Sequence, residues 1–345
     1  MPFQVSIRVP PFAPVPEVTA FTQRCEEAGF DGVGYVDSQM IGRDVFVVLG
    51  HAAAATSRVR LMPAVTNPMT RHVSVIASAA RSVWDVAPGR SEIWIGRGFS
   101  SANLVGLPYG SVRRMRETVR DYRRLLAGEW DVFPGVHTHM APGDGTRVPI
   151  IVAASGPKTM RLAGETADGL LLSTGNGNAA LERARDLALD GARAAGRDRS
   201  DIRLIVCLPT AIRPDREEAY ARAAPMCAHR LRDGAWLAER GIDGRGLQPP
   251  AELSELYPDF FHAEDWDRAV ELSSFVPPDL RAQMCGEIGL IGSPQDCLRR
   301  LEELRDMGFD EVFMQTIGTM NFPEAEMRAF GEVIGPGLRA GVAAR

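Results

Sequence analysis

Short apolar runs and amphipathic stretches alternate along nearly the whole chain. Residues 3–9 (FQVSIRV) are rich in β-branched and aromatic side chains and predict a strand. Residues 16–29 space Val18, Phe21, Cys25 and Ala28 three or four apart, which predicts a helix with one apolar stripe. DGVGYV then leads to Asp37, and a helix is predicted over 44–56. A strand at 59–65 (VRLMPAV), a helix at 70–86 and a strand at 91–98 (SEIWIGRG) follow. Residues 111–127 predict a strong helix, with Val112, Met115, Val119, Tyr122 and Leu126 on one face. PIIVAAS (149–155), a helix over 157–166, DGLLLST (168–174), a helix over 179–195 and DIRLIVCLPTAI (201–212) continue the rhythm. The last pair is a helix over 294–307, with Cys297, Leu298, Leu301, Leu304 and Met307 on one face, and the strand 310–316 (DEVFMQT).

One joint repeats. EEAGFDGVGYV (26–36) and LRDMGFDEVFMQ (304–315) share a helix end, a glycine and an entry into a strand, and GETADGLLLS (164–173) is related. Gly29 and Gly308 can take the left-handed conformation that ends a helix. Strands separated throughout by helices predict parallel pairing, because parallel neighbours need crossovers. The expected fold is one α/β domain over residues 1–345, a (β/α)₈ TIM barrel. Two stretches depart from the rhythm. Residues 128–148 predict a hairpin or irregular excursion. Residues 229–285, with Trp236, Tyr257, Phe260, Phe261 and Trp266, predict a mainly helical insertion before the last αβ unit, either a substrate lid or a packing subdomain.

Composition narrows the function classes. The chain has 345 residues, 45% of them hydrophobic, which is enough for one large barrel. A net charge of −5 argues against a nucleic-acid or anionic-membrane partner, either of which wants a basic excess. The N-terminal MPFQVSIRVPPFAP lacks a basic start followed by a long apolar run, and no stretch is long enough to span a bilayer, so a cytoplasmic location is expected. Five cysteines, odd in number and without a Cys-x-x-Cys pair, predict reduced thiols rather than a disulfide framework or zinc site. Cys25 and Cys297 fall on apolar helix faces and are expected in the core. Lys158 is the only lysine.

In a parallel barrel the chemistry sits on the loops that follow the strands. After the second strand comes Asp37-Ser38, where the acid either binds a ligand or caps the next helix. After the third come Ala64, Val65, Thr66 and Asn67, then Thr70, Arg71 and His72. His72 is either catalytic or part of a helix start. After the fourth come Gly96, Arg97, Gly98, Phe99 and Ser100, whose paired glycines admit a planar ring or phosphate close to the backbone. After the fifth comes Ala153-Ala154-Ser155-Gly156-Pro157-Lys158, the best anion site in the chain. Its small turn opens a helix whose first N–H groups are unpaired, Pro157 suits the first helical position, and Lys158 adds positive charge. Ser173-Thr174-Gly175 follows the sixth strand and is again small and polar. No His, Cys and carboxylate cluster has metal-ligand spacing, and neither a Gly-x-Ser-x-Gly elbow nor a Walker loop is present.

VTNPMTRHVSVIASA (65–79), IWIGRGFS (93–100), VPIIVAASGPKTMRLAGETADGLLLS (148–173) and IGSPQDCLRRLEELRDMGFDEVFMQ (291–315) together resemble the bacterial luciferase-like superfamily. They look closest to its branch of methylenetetrahydromethanopterin reductases and related coenzyme F420-dependent oxidoreductases. The resemblance implies a (β/α)₈ barrel with a non-proline cis peptide at Ala64–Val65, behind a cofactor ring. It implies a cofactor site of Asp37, Ala64, Val65, Thr66, Asn67, Gly96, Gly98, Ser100, Thr174 and the phosphate loop Ala154, Ser155, Gly156, Pro157 and Lys158. Two departures stand out. Ser38 occupies a position where some relatives carry a catalytic histidine, and Phe99 one where many carry an acid. Either another residue such as His72 or Arg97 fills in, which with Asp37 makes three candidate catalytic residues, or the reaction needs no protein acid. The implied activity is hydride transfer between the deazaflavin F420 and a small organic substrate. An FMN-dependent two-component monooxygenase and a non-catalytic flavin-binding homologue are the alternatives. The resemblance also makes a homodimer an expectation.

Overall fold

A computed structural model describes residues 2–141, 146–258, 262–318 and 320–343. Nine strands form one parallel sheet: β1 (Gln4–Val9), β2 (Gly32–Tyr35), β3 (Arg60–Pro63), β4 (Ile93–Ile95), β5 (Ile150–Ala154), β6 (Gly169–Leu172), β7 (Arg203–Ile212), β8 (Leu290–Gly292) and β9 (Glu311–Thr316). Eight of them run in the order β3-β2-β1-β9-β7-β6-β5-β4. Isolated bridges, Leu61 to Ser91 and Thr66 to Ile95, join the two ends and close the barrel. The ninth, β8, pairs only with the far end of β7, at Thr210–Ile212. It is too short to give a periodic signal, and the sequence pattern missed it.

Each predicted helix is present within a few residues of its expected bounds. They are Val15–Ala28, Val45–Ala55, Val73–Val86, Val112–Leu126, Pro157–Thr166, Asn178–Ala194 and Pro294–Asp306. Their apolar stripes pack on the outward faces of the strands to form the main core, which buries Cys25 and Cys297 completely or nearly so. All five cysteines are unbonded and buried.

Side chains alternate across each strand, so every second residue points into the barrel. The inward set lies in layers. Ser6, Arg60, Glu92, Arg203 and Glu311 form a polar floor. Arg60 reaches Glu92 at 3.1 Å and Glu311 at 2.8 Å, and Arg203 pairs with Glu92. Burial works against ionisation of Glu92, but Arg60, Arg203 and a hydrogen bond from the Trp94 indole outweigh it and hold its pKa down at about 2. Above the floor, Met62, Trp94, Ile151, Leu171, Ile205, Cys207 and Phe313 fill the barrel as a separate apolar cluster. This plug leaves only the mouth, at the C-terminal ends of the strands, for a ligand.

The segment 128–141 forms no regular strand pair, held by backbone bonds from Asp131 to Thr138 and from Val136 to Phe133. The helical excursion after β7 is longer than the sequence pattern suggested. It starts at Arg216 rather than at residue 229 and runs to Ile288, through Arg216–Arg222, Ala224–Arg230, Gly234–Glu239, Trp266–Leu272 and Pro278–Ile288. It has its own core, which includes Trp236, Leu253, Trp266 and Met284, with Cys227 and Cys285 at 3.8 Å. Phe260 and Phe261 lie outside the described residues.

Candidate active site

A cleft of about 660 Å³ opens at the barrel mouth. The closing seam between β3 and β4 makes its back wall. Between the two bridges the chain bulges at Ala64–Val65, whose peptide is cis, as the family resemblance implies. Both residues line the cleft. The bulge is pinned on its far side, where Thr66 N–H donates to Trp94 C=O at 3.0 Å and Gly96 N–H to Thr66 C=O at 2.8 Å.

The acid after β2 is at the cleft, but its oxygens are committed. Asp37 is buried and accepts from Arg71 through a two-pronged fork, at 2.9 and 3.0 Å, and from the Thr66 hydroxyl at 2.7 Å. Arg71 in turn reaches Asp44, at 2.8 Å. Asp44 caps the helix Val45–Ala55 through the Phe46 and Val47 amides. Burial works against the Arg71 charge, but Asp37 and Asp44 outweigh it and raise its pKa. A carboxylate in a bidentate arginine fork is fixed in place. Asp37 is therefore built as an anchor. The Ser38 hydroxyl beside it is buried, lines the cleft and has no hydrogen-bond partner among the described residues.

The loop after β4 forms a side wall. Gly98 has φ of +80°, and a Cβ there would meet Asn67 at 2.7 Å, so both backbone and contact demand glycine. Asn67 does not line the cleft. Its amide donates to Thr70 and Ser101 and accepts from the Met69 and Thr70 amides, which locks the β3 and β4 loops together. Thr66 is likewise behind the wall. Gly96, Arg97, Gly98, Phe99 and Ser100 face the cleft. The Arg97 guanidinium lies 4.6 Å from the Tyr109 ring centre and donates to the Gly110 carbonyl, so it stiffens the wall. Phe99 is 68% exposed, which puts an aromatic edge at the rim.

The far end of the cleft is the turn after β5. Ala154, Ser155 and Gly156 line it. No side chain caps the helix Pro157–Thr166 that starts there. The Thr159 and Met160 amides turn back onto Gly156 C=O, whereas the Gly156 and Lys158 amides find no acceptor among the described residues. Gly156 has open space where a Cβ would stand. Pro157 and Lys158 are exposed and off the cleft wall. Thr174 is off it too, its buried hydroxyl without a partner among the described residues, while the neighbouring Ser173 faces the cavity.

His72 stands apart from this assembly. It is exposed, receives the Ser74 amide as the N-cap of Val73–Val86, and lies 5.1 Å from Phe133 ring to ring. Histidine is an uncommon cap, and its place before an apolar run gave a signal that a catalytic histidine would also give. Two residues missed in the sequence are at the site instead. Arg8 of β1 and His262 of the helical excursion both line the cleft. Arg8 was detectable as the polar position, after Ser6, on the inward face of a strand otherwise made of Val5, Ile7 and Val9. His262 lies in a loop with no motif and no periodicity, so nothing local marked it.

A closed parallel barrel with a cleft at its mouth, between a bulged third strand and an uncapped helix start, defines an α/β barrel with a candidate ligand site at the usual end. The family model for luciferase-like monooxygenases matches residues 2–311, and the chain belongs to that family. It is 33% identical over 266 residues to an F420-dependent glucose-6-phosphate dehydrogenase of Beutenbergia cavernae, covering 71% of this chain and 76% of the relative. It is 26% identical over 314 residues to a 5,10-methylenetetrahydromethanopterin reductase of Methanolobus tindarius, covering 88% and 90%. The solved F420-dependent tetrahydromethanopterin reductase of Methanopyrus kandleri superposes with a TM-score of 0.79 at 23% identity, over 98% of this chain and 100% of that one.

Proposed function

We propose that the chain is a coenzyme F420-dependent oxidoreductase that moves a hydride between the deazaflavin and a small organic substrate. The observation that carries this is the continuous slot from the Ala64–Val65 bulge to the free amides of Gly156 and Lys158. Its walls fit the group. Val65 and the Gly96–Ser100 loop line a cleft of about 660 Å³, roomy enough for fused rings, and the Ser38 hydroxyl and the open cradle at Gly156 offer hydrogen bonds to polar ligand atoms. The helix start favours an anionic tail through its amides and dipole, with Lys158 adding longer-range attraction from solvent.

When bound, the deazaflavin would supply the hydride chemistry at its central ring. The protein's part is to bind, orient and exclude water. Asp37, Thr66, Asn67 and Arg71 hold the walls, and Arg97 stiffens the rim. Hydride transfer to a polarised double bond leaves one proton to be moved at the partner atom. His262 is the imidazole placed in the cavity for that step, while His72 is not. The helical excursion acts as both packing subdomain and lid, since it has its own core and contributes His262 to the cavity. Among the described residues no helix is long and apolar enough to cross a membrane, and no group of three or more metal-ligating side chains occurs. Five free, buried thiols support a cytoplasmic setting, and a homodimer is the expected assembly.

Cofactor titration tests the proposal. Purified protein is expected to bind F420 stoichiometrically, with quenching of cofactor fluorescence, and to turn it over with a substrate from a panel. Stoichiometric FMN binding with no response to F420 would instead make it a two-component monooxygenase, the activity in the family's description. Tight binding without turnover on any substrate would make it a non-catalytic homologue.

A further inference from the structure

The cleft continues inward past Arg8. A second cavity of about 180 Å³ shares Arg8, Ser173, His262 and Gln315 with the cleft, and Met226, Arg230 and Ile288 of the helical excursion line it as well. At ~30 Å³ per water, this space suits a group of about six heavy atoms.

Its charge is unusual. Arg8 is 4% exposed and donates to the Thr316 carbonyl, yet no acidic side chain among the described residues pairs with it. The other arginines of the barrel interior are neutralised, Arg60 and Arg203 by Glu92 and Glu311, and Arg71 at the mouth by Asp37 and Asp44. Even the half-buried Arg90, which has no acid in an ion pair among the described residues, is tied to several backbone carbonyls. Arg8 makes one such bond and has five N–H groups. Burial lowers its pKa to about 10, so it stays protonated near neutrality. Its neighbour Cys207 supplies no negative charge, because burial pushes the thiol up to about 12, and the sulfur donates to Gln315 Oε1 at 3.2 Å. Arg230 also lines the cavity, half-buried over the Trp236 ring, with a long ion pair to Asp233 at 3.9 Å. Two cations therefore face one small cavity whose described lining includes no carboxylate. A buried charge is tolerated where a counter-charge completes it.

We infer that this inner cavity is the substrate subsite and that it takes a small organic anion, whose carboxylate or phosphate-ester group is forked by Arg8 and backed by Arg230. Calling the anion a substrate rests on the proposed oxidoreductase reading, since the cavity opens onto the slot assigned to the cofactor. The anion site itself does not.

Isothermal titration of the full-length protein with butyrate, methyl phosphate and neutral butyramide tests it. The expected result is saturable binding of butyrate, methyl phosphate or both, and none of butyramide. Arg8→Met is expected to weaken that binding at least about tenfold, the loss of one charged hydrogen bond, and Arg8→Lys to recover part of it. Arg230→Met, on the outer wall, is expected to act in the same direction and keeps the test intact if Arg8→Met does not fold. Binding of only one anion identifies its group as the natural one. Equal binding of butyramide, no binding of either anion, or anion binding that both methionine variants leave untouched would overturn the inference. Failure of F420 to bind the same wild-type protein would defeat the cofactor reading alone and leave the anion result standing.

Discussion

Asp37, Arg8 and His262 line the barrel mouth, and His72 caps a helix outside it. Asp37 was legible as a residue of the barrel mouth because an acid directly after a barrel strand has few other places to be. Its role was not, because that is set by Arg71, thirty-four positions away along the chain. His72 gave the same local signal as a catalytic group and stands outside the cleft as a helix cap. His262 should reverse that assignment in turnover. His262→Asn is expected to lower kcat by roughly 10²–10⁴, the usual range for a lost acid–base group, whereas His72→Asn keeps a good cap and leaves kcat unchanged. Steady-state kinetics with F420 and a turned-over substrate checks both, and an unaffected His262→Asn would remove the proton-handling role. Glu92 sets a second prediction at this scale. Its folded pKa of about 2 lies below that of a glutamate in an unfolded chain, about 4.3. Its contribution to stability is therefore complete above the unfolded value and is lost as pH falls toward about 2. Glu92→Gln, which leaves Arg60 and Arg203 with Glu311 alone, should cost on the order of 3 kcal/mol near neutrality. It should also flatten the acid limb of the stability profile. Urea unfolding between pH 2 and 7 measures this, and an unchanged slope would contradict it.

At the scale of elements, period-two and period-three-to-four patterns located all eight barrel strands and seven of the flanking helices. Patterns fail where an element is held by position rather than by burial of a stripe. The three-residue β8 exists because β7 runs past the barrel and offers a free edge at Thr210–Ile212. The excursion began earlier than its aromatic residues suggested, because the helix Arg216–Arg222 carries mostly charged and small residues. The element that matters most for the site is Pro157–Thr166, and its placement depends on contact with Asn178–Ala194. A Cβ on Gly164 would lie 1.9 Å from the Ala188 carbonyl, and one on Gly191 would lie 2.1 Å from the Arg161 carbonyl. Gly164→Ala must push the two helices apart, at a cost of about 2 kcal/mol or more, measurable by urea unfolding. Stability equal to the parent would mean the helices are not held this closely. Gly156→Asp is the contrasting change. The Cβ meets nothing, so the fold should survive with an unchanged circular dichroism spectrum, while the added carboxylate beside the free amides should abolish cofactor binding. Undiminished F420 affinity would remove the phosphate-loop assignment.

Taken as a whole molecule, the chain is a barrel filled from below. Ion pairs close the floor, an apolar plug occupies the middle, and the mouth holds two joined cavities, a larger cleft and a small space, which share Arg8. This layering was only partly legible in the sequence, because inward positions carry Arg, Glu and Ser that a simple hydrophobic pattern counts as surface. The central claim is that the slot between the Ala64–Val65 bulge and the Gly96–Ser100 loop receives a fused-ring cofactor whose anionic tail ends at Gly156. A crystal structure of the protein soaked with F420 tests it most directly. The predicted result is ring density against Val65, with phosphate oxygens within hydrogen-bond distance of the Gly156 and Lys158 amides. Cofactor density elsewhere on the molecule, with both amides left to water, would contradict it.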